Sequence, residues 1–154
     1  MCIRDRIMVI NFTFGKPKYA KYEKELKKIS SRLEKLKEQL LELVDLDVVA
    51  FNSKDLRFAL EVPLRLCRLS FLAIALCPKL IGKTNINLIS DILVASVLLE
   101  SGFSGGYFNV LINLQSLRDK VLLKRITQEL NKKKKLVNKI RKETEVKVDK
   151  IIRR

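Results

Sequence analysis

The chain has 154 residues, which is the size of one domain with a substantial hydrophobic core. It contains five glycines, three prolines, no histidine and no tryptophan. The low glycine and proline content, together with abundant Leu, Ile, Lys and Glu, predicts an all-α protein. Because histidine is absent, neither a Ser-His hydrolase triad nor a zinc site is expected.

The formal net charge of +15 is concentrated towards the C-terminus. Residues 118–154 contain 15 Lys and Arg against 5 Asp and Glu, which gives this segment a net charge of +10. A segment of this kind is most often a solvated helix face. Its charge also leaves open an interaction with nucleic acid, with an anionic membrane or with an anionic small ligand.

Residues 1–7 are interpreted as a leader that is foreign to the natural protein, because MCIRDR resembles a translated sequencing-adapter string. The charged Asp5 and Arg6 do not fit a signal peptide. The sequence therefore predicts one domain over residues 8–154. The cysteines at positions 2, 67 and 77 have no metal-binding spacing, so we expect reduced thiols in a cytoplasmic protein.

The first strong helical signal follows a polar loop over residues 11–18. Apolar and aromatic residues then recur at steps of three and four: Tyr19, Tyr22, Leu26, Ile29, Leu33, Leu36, Leu40 and Leu43. This seam predicts a long helix that packs against other helices. Asp47 takes the next seam position, and two interpretations stay open. Either the seam has ended and Asp47 is solvated, or the helix continues through Phe51 and directs Asp47 at a cleft.

The residues after Phe51 predict a break, with Ser53 as the cap of the next helix and Pro78 as its end. A central helix is expected at about 87–117, buried because it is apolar on most sides and has no Lys or Arg. Asn87 or Ser90 is expected to cap it, which places Asp91 in its first turn. One or two amphipathic helices follow, and together these elements predict an antiparallel helical bundle.

One line along the central helix is polar or small, although the helix is expected to be interior. It comprises Asp91, Ala95, Leu98, Gly102, Gly105, Asn109 and Asn113. Buried acids and amides need hydrogen-bonding partners, because desolvation without them costs several kcal/mol. The line is therefore a candidate ligand site.

Several motifs occur in a fixed order along the chain. The first is M-V-I-N-F-T-F-G-K at residues 8–16, followed by Tyr19; the second is L-E-L-V-D-L-D at residues 41–47, followed by A-F-N at residues 50–52. E-V-P-L at residues 61–64, N-L-I-S-D at residues 87–91 and N-V-L-I-N-L at residues 109–114 complete the set. In this order they resemble the cyclodeaminase/cyclohydrolase family of helical folate enzymes.

The resemblance implies an all-helical homodimer that binds a reduced folate and needs neither a metal nor a tightly bound cofactor. The reaction would be hydrolysis of 5,10-methenyltetrahydrofolate to the 10-formyl form, or ring closure of 5-formiminotetrahydrofolate with loss of ammonia. Residues carried over by position would line one cleft. The catalytic candidates are Asp91, Asp47 and Lys16, and the binding candidates are Asn11, Tyr19, Asn52, Asn87, Ser90, Asn109 and Asn113.

The chain departs from the family pattern in two places. The glycine-rich P-x-P-G-G-G-S stretch that opens family members does not appear before residue 8, and the segment between Asn52 and Glu61 is short. The first departure predicts an incomplete folate pocket and impaired activity. Two other hypotheses are a non-catalytic basic helical module that binds RNA or ribosomes, and a membrane span over residues 86–117. Asp91, Glu100 and several asparagines argue against the span.

Overall fold

The computed structural model describes residues 2–153, which form a bundle of α-helices without a strand in that range. The six α-helices are α1 (Cys2–Asn11), α2 (Glu23–Ser53), α3 (Leu56–Ile74), α4 (Cys77–Leu80), α5 (Ile89–Leu117) and α6 (Lys120–Ile152). Short 3-10 helices, Pro17–Tyr22 and Ile86–Leu88, precede α2 and α5. The all-α bundle with a central helix is thus confirmed. The basic C-terminal segment forms one long helix, and its run of four lysines does not break it.

Helix α2 follows the predicted seam. Leu26, Ile29, Leu33, Leu36 and Leu43 are buried, and the helix continues past Asp47 to Ser53. The predicted Ser53 cap is wrong. Asp55 is the N-cap of α3, where its carboxylate accepts hydrogen bonds from the backbone N–H groups of Arg57 and Phe58.

Helix α5 is the centre of the bundle and packs against α1, α3 and α6. Its closest approach to α3 is at Gly106, where an added Cβ atom would lie 3.0 Å from the Cys67 sulfur and 3.2 Å from the Pro63 carbonyl oxygen. A Cβ atom at this crossing would therefore require the facing atoms of α3 to shift by a few tenths of an ångström. Phe103 and Val110, on either side of it along α5, are fully buried.

The burial of α5 is less complete than its composition predicts. Three packed helices leave one long face of α5 open, and Val94, Phe108 and Ile112 are each about half exposed or more. The segment Ile86–Leu117 is long and apolar enough to cross a membrane by length and composition alone. The core helix of a soluble protein can pass the same test, so length and composition alone are weak evidence for a span. In this structure α1, α3 and α6 pack against α5.

Residues 2–7 belong to the fold, although the sequence analysis interprets them as part of a foreign leader outside the domain. They begin α1, where Ile3 and Ile7 enter the hydrophobic core. The fully buried Arg6 donates hydrogen bonds to the Ala73 carbonyl and to the Cys77 sulfur. The foreign origin of this string stays a prediction. Ile3, Arg6 and Ile7 are nevertheless buried in the bundle.

Helix α6 is attached to α3 and α5 by polar contacts as well as by its apolar stripe. Arg68 of α3 donates two hydrogen bonds to the Glu129 carboxylate, at 3.0 and 2.8 Å, and Lys133 donates a third at 2.7 Å. The hydrogen bonds from Arg68, with that from Lys133, lower the pKa of Glu129 to about 2. The stabilising effect of this carboxylate is therefore present above its ordinary pKa of 4.5 and is lost as the pH falls towards 2.

Replacing Gly106 by alanine tests the contact between α3 and α5. The added methyl group would force α3 away from α5, so we expect Gly106→Ala to lower the free energy of unfolding by about 1–3 kcal/mol. Gly102→Ala is the matched control, because a Cβ atom there would lie 3.7 Å from the Ser70 hydroxyl, an ordinary contact. Urea denaturation of both variants gives the comparison. Equal stability of the two variants would contradict the close crossing.

Candidate functional site

The loop before α2 is fastened to the start of α5. Thr13 donates a hydrogen bond from its hydroxyl to the Val9 carbonyl at 2.6 Å and accepts one from the Asn85 N–H at 2.9 Å. The buried Tyr19 accepts a hydrogen bond at its hydroxyl from the Ile86 N–H at 3.3 Å. The end of α1, this loop and the first residues of α5 are thereby held together as one unit.

Several predicted site residues lie at this end of the bundle, and we call these residues the near-end group. Its members are Asn11, Lys16, Tyr19, Asn87, Ser90 and Asp91. Lys16 is exposed and lines a small pocket together with Tyr19. Asn11, Asn87 and Ser90 are also exposed, whereas Asp91 is half-buried.

Asp91 lies in the first turn of α5, as the sequence predicts. This position lies beside the positive end of the helix dipole, where acidic side chains are favoured. The predicted capping by Asn87 or Ser90 is wrong, because a 3-10 turn precedes the helix and Leu88 is at the N-cap position. The capping side chain belongs instead to Asn85, whose oxygen accepts a hydrogen bond from the Asn87 N–H at 3.2 Å. Asn85 and Thr13 were missed as site-forming residues, although Thr13 lies within the first motif.

The remaining predicted residues form a far-end group, which consists of Asp47, Asn52, Asn109 and Asn113. Asp47 is exposed and lines an open depression with Val48, Phe51, Ala59 and Asn113. Asn52 is exposed in the last turn of α2, and Asn109 is exposed one turn before Asn113 on α5. Helix α2 thus does continue beyond its seam and brings Asp47 beside Asn113. The surface there is a shallow depression.

Asn113 also has a clear role in the fold. Pro63 lies inside α3 and has no N–H, so the Ala59 carbonyl loses the donor that a helix normally supplies. The Asn113 side chain fills this place by donating a hydrogen bond to the Ala59 carbonyl at 2.7 Å. The E-V-P-L and N-V-L-I-N-L motifs are therefore coupled by a backbone requirement.

The two groups lie at opposite ends of α5, so the expectation that all the candidate residues share one cleft is wrong for a single chain. Asp91 and Asn113 are twenty-two positions apart in the helix, or about 33 Å at 1.5 Å per residue. Helices α2 and α5 run in the same direction. Glu25, near the start of α2, pairs with Lys83 just before α5, whereas Asp47 meets Asn113 near the ends of both helices. The loop that bears Lys16 therefore lies far from Asp47.

The buried thiol of Cys67 is not a nucleophile. Burial raises the pKa of the Cys67 thiol to about 12, and its sulfur lies 3.5 Å from the Phe103 carbonyl oxygen in a hydrogen bond. A thiolate nucleophile is therefore not formed there at neutral pH. No cluster of three or more Cys, Asp or Glu side chains suited to a metal occurs between residues 2 and 153. The ionisable groups available at the two ends of α5 are chiefly carboxylates and lysines.

Comparison with known proteins places this bundle, with its polar groups at both ends of a central helix, among folate enzymes. The formiminotransferase-cyclodeaminase family model matches residues 6–55 and 52–132. The crystal structure of formiminotetrahydrofolate cyclodeaminase from Thermotoga maritima has a TM-score of 0.92 and 27% sequence identity, and the match covers 99% of this chain and 83% of that one.

Two further relatives are also named as folate enzymes. Methenyltetrahydrofolate cyclohydrolase from Methylorubrum extorquens is 30% identical over 146 residues, which covers 80% of this chain and 70% of that protein. Formimidoyltransferase-cyclodeaminase from Rattus norvegicus is 28% identical over 137 residues, or 74% of this chain and a quarter of that longer protein. The chain belongs to the formiminotransferase-cyclodeaminase family, which confirms the resemblance found in the motifs.

The coupling between Pro63 and Asn113 can be tested by a double-mutant cycle. Asn113→Leu leaves the Ala59 carbonyl without a donor, so we expect it to lower the free energy of unfolding by about 1–2 kcal/mol. In the Pro63→Ala background the backbone N–H returns, and the same substitution should cost much less. Asn109→Leu, at an exposed position one turn earlier, is the control and should be nearly neutral. Additive effects of Pro63→Ala and Asn113→Leu on urea denaturation would contradict this role of Asn113.

Proposed function

We propose that the protein is a folate one-carbon enzyme that acts as a methenyltetrahydrofolate cyclohydrolase or a formiminotetrahydrofolate cyclodeaminase. The observation that carries the proposal is the family match over residues 6–132, which includes both the loop of Lys16 and the start of α5. One of the relatives compared is named as a cyclohydrolase, and two are named as cyclodeaminases. Both reactions take place at a one-carbon unit bonded to two nitrogens.

The reaction calls for charge stabilisation and proton transfer. In the hydrolysis, water adds to the cationic methenyl carbon, a carbon–nitrogen bond opens and one proton is released. In the cyclisation, the amine nitrogen N10, which lies outside the pterin ring, adds to the formimino carbon, and the formimino nitrogen takes up a proton and leaves as ammonia. A fixed carboxylate stabilises the cationic carbon and orients the attacking or leaving group, and general acid–base catalysis of this kind contributes about 10²–10⁴-fold to a rate.

Asp91 is the residue best suited to this role. It is half-buried in the first turn of α5, beside the positive end of the helix dipole. The hydrogen bonds of Thr13 and Tyr19 fix the neighbouring loop relative to it. Lys16, exposed on that loop, attracts the glutamate carboxylates of the folate or serves as an acid. Asn11, Tyr19, Asn87 and Ser90 supply polar contacts to the pterin or the one-carbon unit.

The remaining features of the proposal concern partners and compartment. We place the protein in the cytoplasm, as a homodimer that uses a reduced folate as substrate, without a metal, a tightly bound cofactor or membrane insertion. The lack of histidine and the free, buried thiol of Cys67 support this assignment. Nothing favours the alternative of an RNA-binding module. Several cations of α6 are engaged in ion pairs, among them Lys133 with Glu129 and Arg141 with Glu100.

The role of Asp91 is tested by Asp91→Asn. Consumption of 5,10-methenyltetrahydrofolate, followed by its absorbance, should fall by at least about 100-fold, because an amide cannot stabilise a cation as a carboxylate does. Asp45→Asn is the matched control, since Asp45 is an exposed acid on α2 that belongs to neither group. Ammonia release from formiminotetrahydrofolate distinguishes the two reactions. Unchanged turnover by a folded Asp91→Asn variant would contradict the role of Asp91, and an inactive parent protein would contradict the proposed function.

A further inference from the structure

Helix α6 exposes a row of lysines to solvent. Its buried residues, among them Ile126, Leu130 and Val137, face the bundle. On the opposite side, exposed residues recur at steps of three and four, and we call them the lysine row: Val121, Lys124, Gln128, Lys132, Lys135, Lys139, Lys142, Val146, Lys150 and Arg153. The row carries seven cations and no acid, and it extends over about 48 Å at 1.5 Å per residue.

The acids of α6 lie beside the row and leave most of its lysines without an ion pair. Glu129 pairs with Arg68 and Lys133, and Glu145 pairs with Arg141. Two further acids pair with members of the row, namely Glu143 with Lys139 at 3.8 Å and Asp149 with Arg153 at 2.6 Å. Five lysines of the row have no ion pair with another residue in the range 2–153: Lys124, Lys132, Lys135, Lys142 and Lys150.

A solvated helix does not require this charge pattern. Helix α2 is of similar length and has six Lys and Arg against seven Asp and Glu, whereas α6 has twelve against four. Like charges three or four positions apart destabilise a helix, and they recur between Lys132 and Lys142. Mixed charges, as on α2, keep a helix soluble without that repulsion. The row therefore indicates a partner of opposite charge.

The composition of the row matches a lipid surface better than a nucleic acid. Helix α6 has no aromatic residue, so it offers no platform on which bases stack. Within the row, Val121 is 81% exposed and Val146 is 53% exposed. Val146 forms a shallow apolar depression together with the side chains of Lys142, Lys147 and Lys150. Exposed apolar residues among lysines are typical of helices that lie on a membrane, because the lysine stems contact apolar surface while the ammonium groups reach the headgroups.

We propose that the lysine row docks α6 on the surface of an anionic lipid bilayer. The helix axis lies parallel to the surface, the ammonium groups contact the lipid phosphates, and no segment crosses the bilayer. Each Lys or Arg near such a surface strengthens binding about fivefold. The inference is independent of the folate reaction, because neither the near-end group nor the far-end group includes a residue of α6.

Sedimentation of the full chain with lipid vesicles tests the docking. The protein should bind vesicles of phosphatidylcholine that contain about one third phosphatidylglycerol, and should not bind vesicles of phosphatidylcholine alone. Binding should be released in about 1 M NaCl, where the Debye length is about 3 Å. Absence of binding to the anionic vesicles, or equal binding to the neutral ones, would overturn the proposal.

A triple variant with Lys132→Gln, Lys135→Gln and Lys142→Gln tests whether the row carries the binding. Glutamine is a good helix former, so the fold should be kept. Three lysines at about fivefold each predict an affinity for the anionic vesicles that is about 100-fold lower. The matched control removes the same net charge from three exposed lysines of α2: Lys24→Gln, Lys28→Gln and Lys35→Gln. The control should bind nearly as the parent protein does, and an equal loss of binding in both variants would overturn the role of the row.

A dye that is sensitive to polarity tests which face meets the lipid. In a Cys2→Ser background, the remaining Cys67 and Cys77 are buried. The dye attached at Val146→Cys should increase in fluorescence on anionic vesicles, whereas the same dye at the exposed Ser31→Cys of α2 should not. Any other pattern of the two signals would overturn the proposed orientation.

A nucleic acid is the other polyanion to which a row of lysines binds, and a competition experiment separates the two. The parent protein is mixed with anionic vesicles and a single-stranded RNA oligonucleotide at equal concentrations of phosphate. Sedimentation of the protein with the vesicles is the expected result. Binding to the RNA through the row, with the protein left in solution, would overturn the assignment to lipid.

Discussion

The packing of α5 against its neighbours is the constraint on which the rest of the structure depends. A helix without a single Lys or Arg over its length must be covered by other apolar surfaces. Helix α3 approaches it so closely at Gly106 that an added Cβ atom would lie only 3.0 Å from the Cys67 sulfur, and α1 and α6 cover two further sides. The remaining side carries exposed apolar residues, among them Val94, Phe108 and Ile112.

The same helix separates the polar residues. Each end of α5 is joined to a different part of the chain: the start to the loop of Thr13 and Tyr19, and the end to α3 through Asn113. These hydrogen bonds serve two purposes, because they satisfy backbone groups and also fix the polar side chains beside them. Asn113 shows this most clearly, since the amide that compensates for Pro63 also lines the depression beside Asp47.

The sequence predicts the helices well, and their ends and mutual directions poorly. The α2 seam and the position of Asp91 follow from periodicity, which is a local property. The caps by Ser53, Asn87 and Ser90 are wrong because neighbouring residues, Asp55 and Asn85, take the capping role. The prediction that all candidate residues line one cleft of a single chain is wrong, because the order of the motifs carries no information about the relative direction of α2 and α5. Motifs identify the family, whereas distances between site residues depend on tertiary structure.

The central claim is that the near-end group binds a reduced folate, and equilibrium dialysis of tetrahydrofolate against the parent protein and Lys16→Ala tests it most directly. The account predicts that the parent protein binds the folate and that Lys16→Ala binds it more weakly, because the lysine no longer attracts the glutamate carboxylates. Equal binding by the two proteins, or no binding by the parent protein, would contradict the account.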